Sequence, residues 1–302
     1  MTWMPTEEPR CEGAKERAIE LIVEGRAVEL AGMPVRRVLP TRARRMVGPF
    51  VFLDHMGPVE FPAGHGLDVA PHPHIGLSTV TYLFEGEIFH RDSLGTALPI
   101  RPGAVNWMTA GRGIVHSERT PPELRAAPHA LNGIQLWVAL PEADEAMEPS
   151  FVHHPASDFP PVSLGGAELR VLAGEAYGVT SPVAVRSPMF YVDAILAPGG
   201  HLPMPDDYEE RAVYVASGEI ACGEGRFGVG TMLVFARGEH AAITSERGAR
   251  VMLLGGAPLG PRHITWNFVS SQKETIERAV RDWREDRFPR VPGDELERVP
   301  MP

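Results

Sequence analysis

The chain has 302 residues, a formal net charge of −10 and a sequence pI near 5.7. This acidic balance argues against direct binding of nucleic acid or of an anionic membrane surface. No apolar run approaches the ~20 residues of a membrane helix, and the first residues lack the basic and apolar regions of a signal peptide. The two cysteines, Cys11 and Cys222, lie far apart in sequence. A disulfide framework is therefore not expected, and the expected location is the cytoplasm.

Most of the chain has the pattern of short strands separated by tight turns. Thirty-one glycines and thirty prolines interrupt runs of β-branched and aromatic residues. The segment 48–58 predicts a buried strand that ends in a Gly-Pro turn, and further strands are predicted at 78–84, 105–108 and 131–140. Residues 151–269 resume the same pattern. Short strands at this frequency favour an antiparallel sandwich or barrel.

The acidic segment 141–149 begins and ends near prolines and is poor in strand-forming residues. It is interpreted as a linker. The predicted organisation is an N-terminal metal-binding domain at 1–148 and a C-terminal domain at 149–302 that ends in a helix and a tail.

Two pairs of potential metal ligands stand at either end of one strand-rich stretch. His72 and His74 lie one residue apart, and His116 and Glu118 have the same spacing. Side chains at positions i and i+2 of an extended segment point to the same side, so each pair can direct two ligand atoms at one point. Three imidazoles and one carboxylate suit a borderline divalent metal such as iron, nickel, copper or zinc. The alternative is a surface loop that carries unrelated polar residues.

A short repeat relates the two halves of the chain. The stretch VTYLFEGEI in the first half aligns without gaps with AVYVASGEI in the second. This match predicts two copies of one β-barrel unit. At the same offset, Met204 and Asp206 stand where the first half has its histidine pair. One metal site is therefore expected, in the N-terminal half.

Other polar residues have less specific interpretations. His55, His65, His90 and Asp92 are interpreted as rim or hydrogen-bonding residues rather than ligands. The arginine-rich segment 35–45 is interpreted as a solvated loop, with an anion or partner contact as the alternative.

One amphipathic helix is predicted near the C-terminus. Ser271 and Glu274 have the spacing of an S-x-x-E capping box. Ile276, Val280 and Trp283 then fall at helical spacing on one face, which predicts a helix of about three to four turns. The residues after this helix are expected to form an extended tail.

The stretch HPHIGLSTVTYLFEGEIFHRDSLG, together with WMTAGRGIVHSE, resembles the pirin family, a bicupin branch of the cupin superfamily. The resemblance extends to GPFVFLDHMGP, to GIQLWVALP and to the second-half SGEI segment, and the C-terminal stretch is similar to bacterial pirins. It implies an all-β fold of two tandem cupin barrels of the jelly-roll type, followed by the amphipathic helix and the extended tail.

The resemblance also implies a ligand set. Thr79 occupies the place of the glutamate in the first cupin motif, and the carboxylate arrives instead as Glu118, as in pirins. The implied ligands of one divalent ion per chain are His72, His74, His116 and Glu118. The ion is usually Fe(II), with nickel, copper, cobalt, manganese or zinc as alternatives.

Two functions are compatible with the family. The first is a metal-dependent dioxygenase of the quercetin 2,3-dioxygenase type, which opens a flavonol ring with O₂. In this function Glu118 is the candidate catalytic base, and Phe52, Trp107 and Met108 are candidates for an apolar substrate pocket. The second is a metal- or redox-sensing regulator that binds another protein, with segment 35–45 and the C-terminal helix and tail as candidate contact surfaces.

Overall fold

The computed structural model describes residues 10–12 and 18–302. The strands up to residue 154 are β1 (Arg10–Glu12), β2 (Ile19–Glu24), β3 (Arg26–Leu30), β4 (Met33–Leu39), β5 (Phe50–Phe61), β6 (Asp68–His74), β7 (Leu77–Glu85), β8 (Ile88–Asp92), β9 (Ala97–Ile100), β10 (Val105–Thr109), β11 (Ile114–Arg119), β12 (His129–Ala139) and β13 (Ser150–His154). The later strands are β14 (Val162–Leu164), β15 (Ala167–Ala176), β16 (Val179–Thr180), β17 (Met189–Leu196), β18 (Gly200–Pro203), β19 (Glu210–Cys222), β20 (Gly225–Gly228), β21 (Thr231–Phe235), β22 (Ala242–Ser245), β23 (Ala249–Gly256), β24 (His263–Thr265) and β25 (Phe268–Ser270). The helices are α1 (Pro122–Arg125) and α2 (Lys273–Arg284), with 3₁₀ turns at Glu142–Asp144 and Ala156–Asp158.

Two sheets form the first half of the chain. A seven-stranded sheet has the order β13-β10-β7-β12-β5-β4-β3, and a four-stranded sheet has the order β6-β11-β8-β9. A twelve-stranded sheet contains most strands of the second half, along the path β1-β2-β21-β19-β23-β17-β15-β14. The mostly β fold that the sequence predicts is confirmed, and so is a buried strand within the segment 48–58, which becomes β5. The predicted turn at Gly57-Pro58 is wrong, because β5 continues through these residues to Phe61 as it pairs with β12.

Each half includes a strand from outside its own stretch of sequence. The N-terminal strand β2 pairs with β21 in the twelve-stranded sheet. In the other direction, β13 follows the predicted linker but pairs with β10 in the seven-stranded sheet. The domain division at 148/149 stays a prediction, since strand pairing crosses it in both directions.

A large apolar cluster lies between the two halves, and we call it the interdomain core. Phe50, Tyr82 and Trp107 enter it from the first half, and Tyr191 and Tyr214 enter it from the second. Burial of one large apolar side chain stabilises a fold by ~1.5–3 kcal/mol, so a cluster of this size holds the halves together. A second cluster fills the C-terminal barrel.

The repeated β-strand motif has a glycine with a positive φ at the same place in both halves. Gly86 and Gly218 have φ values of 88° and 77°. A Cβ at either position would come within 2.4 Å of a backbone carbonyl oxygen, that of Ala130 or that of Gly248. Glycine is required at this position because it alone tolerates both the positive φ and the close approach.

Helix α2 forms where the sequence predicts it, with Ile276 and Trp283 buried. The capping-box prediction is wrong, because Gln272 precedes the helix and no side chain caps it. The Ser271 hydroxyl and backbone N–H instead donate to the carboxylate of Glu145. Within the described part of the chain, no helix has the length and apolar character that crossing a bilayer requires.

The residues after α2, which we call the C-terminal tail, pack on the strands of the four-stranded sheet. The Trp283 indole N–H donates to the carbonyl of Val299 at 3.1 Å, and the Val299 N–H donates to Pro71 at 2.9 Å. The Arg119 guanidinium donates to both carboxylate oxygens of Asp294, at 2.7 and 2.9 Å. The tail is therefore fixed to the two strands that carry the predicted ligands.

The arginine-rich segment is not a solvated loop throughout. Arg36 and Arg37 lie in β4. The Arg37 guanidinium donates to the buried carboxylate of Asp54 at 2.8 and 2.9 Å. The solvated-loop interpretation is wrong for these two residues, because both lie in a strand. Arg37 in addition supplies the cation that a buried carboxylate on the neighbouring strand requires.

Candidate metal centre

The four-stranded sheet brings the two predicted ligand pairs together. His72 and His74 end β6, and His116 and Glu118 lie on the adjacent strand β11. His116 is the direct cross-strand partner of His72. The pairing register shifts between His116 and Glu118. Such a bulge changes the direction of a side chain and is common beside functional sites.

Three imidazole rings converge at this point. The Nε2 atoms of His74 and His116 lie 3.1 Å apart. Each of the three histidines, His72 included, offers a ring nitrogen within 4.8 Å of the other two. All three side chains are buried. We call this group the three-histidine cluster.

The separation of the ring nitrogens fits a shared cation. Two ligand nitrogens that each lie ~2.0–2.1 Å from one ion are about 2.8–3.4 Å apart, from a 90° octahedral angle to a tetrahedral angle. The observed 3.1 Å falls in that range. Without a cation, two neutral imidazoles at this distance can share only one proton. The donor set therefore fits a transition metal that accepts imidazole.

Electrostatics favour the neutral, metal-binding form of each ring. Burial lowers the pKa of His72 to about 3. Burial, followed by the neighbouring His72, lowers the pKa values of His74 and His116 well below the usual range. A neutral imidazole keeps a lone pair for a metal, so the cluster is ready to bind at neutral pH.

Two contacts orient the rings. The Nδ1 of His72 lies 2.9 Å from the carbonyl oxygen of Ala70, which accepts the Nδ1–H and leaves Nε2 as the ligand atom. Trp137 and His74 make a T-shaped contact, with 5.2 Å between ring centroids. Sequence reasoning missed Trp137, although the alternation of the 131–140 strand places it on the face opposite Leu136.

Glu118 lies beside the cluster rather than within it. Its carboxylate is not among the ligand atoms that lie within 4.8 Å of one another. Its hydrogen bond from the Thr81 hydroxyl is long, at 3.4 Å, and the same hydroxyl lies closer to Gln135, at 2.8 Å. Burial raises the pKa of Glu118. A ligand role for Glu118 stays a prediction.

The three pocket candidates are placed differently. Phe52 stacks on Trp137, with 4.1 Å between centroids, and is thereby one ring removed from His74. Met108 packs against Phe151. Trp107 belongs to the interdomain core, so the structure does not bring it to the histidines.

His90 and Asp92 are more deeply placed than a rim position implies. Both are buried, and the His90 Nε2 lies 3.1 Å from the Asp92 carboxylate. His55 is also buried, between Tyr214 and Asn132. The hydrogen-bonding interpretation is confirmed for these residues, and the rim position is wrong for them.

The equivalent place in the second half is apolar. Strand β18 pairs with β22 as β6 pairs with β11, and the facing residues are Leu202 and Ile243. Both are buried, as is Met204. Asp206 instead accepts hydrogen bonds from Arg211 and His240. Among the residues that the structure describes, the three-histidine cluster is the one group of three or more potential metal ligands whose ligand atoms lie within 4.8 Å of one another.

Comparison with known proteins agrees with this architecture. The Pirin family model matches residues 32–138, and the model of the Pirin C-terminal cupin domain matches residues 191–289. A Pirin-like protein of Caulobacter vibrioides is 49% identical over 287 residues, which cover 94% of this chain and 99% of that protein.

Solved structures show the same fold. A structure titled quercetin 2,3-dioxygenase from Acinetobacter baumannii superposes with a TM-score of 0.87 and 38% identity, covering 94% of this chain and 95% of that one. The Escherichia coli bacterial pirin in complex with nickel(II) superposes with a TM-score of 0.61 at 19% identity, covering 78% of this chain and 96% of that one. Both family models match this chain in order, and the Caulobacter vibrioides relative is 49% identical over almost its full length. The chain therefore belongs to the pirin family, with an N-terminal Pirin domain and a C-terminal cupin domain.

Proposed function

We propose that this protein is a metal-dependent dioxygenase of the quercetin 2,3-dioxygenase type, acting on a flavonol-like substrate and O₂. The observation that carries the proposal is the buried three-histidine cluster, whose ring nitrogens lie within 4.8 Å of one another. The quercetin 2,3-dioxygenase from Acinetobacter baumannii is 38% identical over almost the whole chain. Fold alone would not select an activity, so the site is the stronger support.

The metal would be held by His72, His74 and His116, with Glu118 as the fourth ligand. We propose one divalent ion per chain, with Fe(II) as the first candidate and nickel, copper, cobalt, manganese and zinc as alternatives. The bound ion would supply Lewis-acid polarisation of a substrate hydroxyl and a route for electron transfer to O₂. The cluster contributes no charge of its own, because its rings are neutral.

Glu118 would take the proton of the substrate hydroxyl. Burial raises the pKa of this carboxylate, which brings it closer to the range in which a general base is effective. Its carboxylate lies beside the cluster without a short hydrogen bond from Thr81. It can therefore accept a hydroxyl without first losing a strong partner.

The aromatic residues around the cluster would exclude water and contact the substrate rings. Trp137 makes a T-shaped contact with His74, and Phe52 stacks on Trp137. We propose these two side chains as the apolar side of the substrate site. Met108 remains a weaker candidate, and Trp107 is replaced by Trp137.

The test is an aerobic assay of purified protein that has been reconstituted separately with iron, nickel, copper, cobalt and manganese. Quercetin loss is followed by absorbance, and carbon monoxide is measured as the product of ring opening. We expect turnover with at least one metal and none in metal-free protein. Absence of turnover with all five metals would rule out the proposed activity.

A regulatory role through a protein partner is the second candidate. It is favoured by the C-terminal tail, which contacts Pro71 and Arg119, each next to a proposed ligand in sequence. A change at the metal could thereby alter the tail surface. Affinity capture with metal-loaded and metal-free protein tests this role, and identical sets of captured proteins would contradict it.

A further inference from the structure

Three neighbouring strands of the four-stranded sheet each carry a pair of polar residues at i and i+2. The pairs on β6 and β11 are the proposed ligands, and the pair on β8 is His90 and Asp92. Asp92 is the cross-strand partner of His116, and His90 is the cross-strand partner of Glu118. Side chains at facing positions project from the same side of a sheet. His90 and Asp92 therefore share the face that carries the metal centre, and the proposed mechanism does not use them.

Asp92 fixes the tautomer of His90. One oxygen of Asp92 accepts the backbone N–H groups of Leu94 and Thr96, at 2.9 and 3.1 Å. The other oxygen lies 3.1 Å from the His90 Nε2. Burial alone would raise the pKa of Asp92, but hydrogen bonds from His90 and Thr96 outweigh it and lower the pKa. A carboxylate oxygen accepts, so Nε2 carries the hydrogen of this bond and Nδ1 is the ring nitrogen left as the acceptor.

The ring of His90 is also fixed in place. It stacks on Phe151, with 4.5 Å between centroids and 27° between planes. Its centroid lies 5.3 Å from that of His116. With only 2% of the residue exposed, the ring has little room to turn. Because Asp92 binds Nε2, Nδ1 is the ring nitrogen that can accept a hydrogen bond from a ligand of the site.

We propose that His90 contacts the substrate, its Nδ1 accepting a hydrogen bond from a hydroxyl group bound at the three-histidine cluster. The inference rests on the proposed function and assigns a second hydroxyl acceptor beside Glu118. Together the two acceptors select aromatic ligands that carry a hydroxyl at the position facing the metal. Asp92 is a positioning residue that acts by holding the acceptor tautomer.

Asp92→Asn tests the tautomer with little change in shape. The asparagine oxygen can still accept from Leu94 and Thr96, but its NH₂ group faces Nε2 and can only donate. Nε2 then becomes the acceptor, and Nδ1 carries the hydrogen. His90→Phe is the second variant, because it keeps the stacking on Phe151 and removes both ring nitrogens. His65→Phe, at an exposed histidine, is the matched control.

Binding is measured without oxygen on cobalt-loaded protein, so that turnover does not contribute. The two probes are quercetin and luteolin, which differ by the 3-hydroxyl group. We expect Asp92→Asn and His90→Phe to raise the Kd for quercetin by about tenfold, as for one lost hydrogen bond, with luteolin affinity unchanged. Cobalt content should stay at the wild-type level, and His65→Phe should bind both probes normally. Long-range ¹⁵N–¹H NMR should report the Nε2–H tautomer of His90 in the wild type.

The outcomes are distinguishable. Unchanged quercetin affinity in both variants would overturn the inference and leave the proposed function intact. An Nδ1–H tautomer in the wild type would overturn it as well. If the wild type does not bind quercetin, the proposed function and this inference fail together. Equal losses for quercetin and luteolin would assign His90 a packing role and overturn the hydroxyl contact.

Discussion

The hydroxyl of Tyr82 donates a 2.8 Å hydrogen bond to the carboxylate of Asp193 and thereby joins the two halves of the protein. Arg250 donates to both oxygens of the same carboxylate, at 2.8 and 2.6 Å. Asp193 is almost fully buried. Asp193 is thus bound by Tyr82 from the other half and by Arg250 from its own half. Removing the Tyr82 hydroxyl leaves the ion pair with Arg250 in place.

Tyr82→Phe should destabilise the protein by ~1.5–3 kcal/mol, the range for a hydrogen bond to a charged group. Urea unfolding measures the change. Tyr208→Phe is the control, because that hydroxyl donates to a neutral backbone carbonyl, of Glu175, at an exposed site. Metal content should not change in either variant. A destabilisation by Tyr82→Phe no larger than that of Tyr208→Phe would show that the bond between the halves contributes little.

His74→Ala should abolish metal binding and leave the protein folded. The wild type should bind one ion per chain, because the facing residues of the second barrel are Leu202 and Ile243. The interdomain core contains no histidine of the cluster, so its apolar contacts persist without metal. Metal analysis and thermal unfolding measure the two effects. Loss of cooperative unfolding, or two tight ions per wild-type chain, would contradict this expectation.

Glu118→Gln should weaken metal binding without abolishing it, since three histidines alone hold a metal in known catalytic sites. Glutamine keeps a carbonyl oxygen but loses the charge and nearly all basicity. If Glu118 is the base, flavonol turnover falls by ~10²–10⁴-fold even when excess ion restores full occupancy. Near-normal turnover of the metal-replete variant would leave Glu118 as a ligand only.

Acid should release the C-terminal tail. Burial favours a higher pKa for Asp294, but the hydrogen bonds and the charge of Arg119 outweigh it and hold the pKa below its ordinary value. A carboxyl with a depressed folded-state pKa stabilises the docked tail above its unfolded pKa of ~3.9, and this contribution is lost as pH falls through the folded value.

Hydrogen exchange of the residues after α2 measures the release as pH is lowered from neutral to below ~4. Asp294→Asn should remove most of the pH dependence and give faster exchange at neutral pH. Arg119→Ala should give the same neutral-pH result. Tail protection that stays constant down to acid pH in the wild type would contradict the role of this pair.

Much of the site follows from the period of two in a β-strand. That period makes His72 and His74 neighbours on one face, and it does the same for His116 and Glu118. It also shows why Trp107 and Met108 cannot both line one pocket, since adjacent residues of a strand point to opposite faces. In the structure Trp107 enters the interdomain core. The same period applied to β8 would have indicated the pair His90 and Asp92.

Other features depend on contacts between distant residues, which local patterns do not contain. Ser271 has the spacing of a helix cap, but Glu145, 126 residues earlier, binds its backbone N–H and its hydroxyl. Arg37 looks solvated in sequence, but the buried Asp54 on the next strand pairs with it. The position of Glu118 relative to the cluster likewise depends on a bulge in strand pairing. Each outcome was decided by a tertiary partner rather than by propensity.

The exchange of strands between the halves affects how this protein can have changed over time. Because β2 completes the sheet of the second half and β13 extends the sheet of the first, neither half is a self-contained module. A recombination event that replaced one half would also remove an edge strand from the other and expose its backbone groups. The barrel that lacks the histidine pair is thereby bound to the one that has it, and the two are expected to be inherited as a single unit.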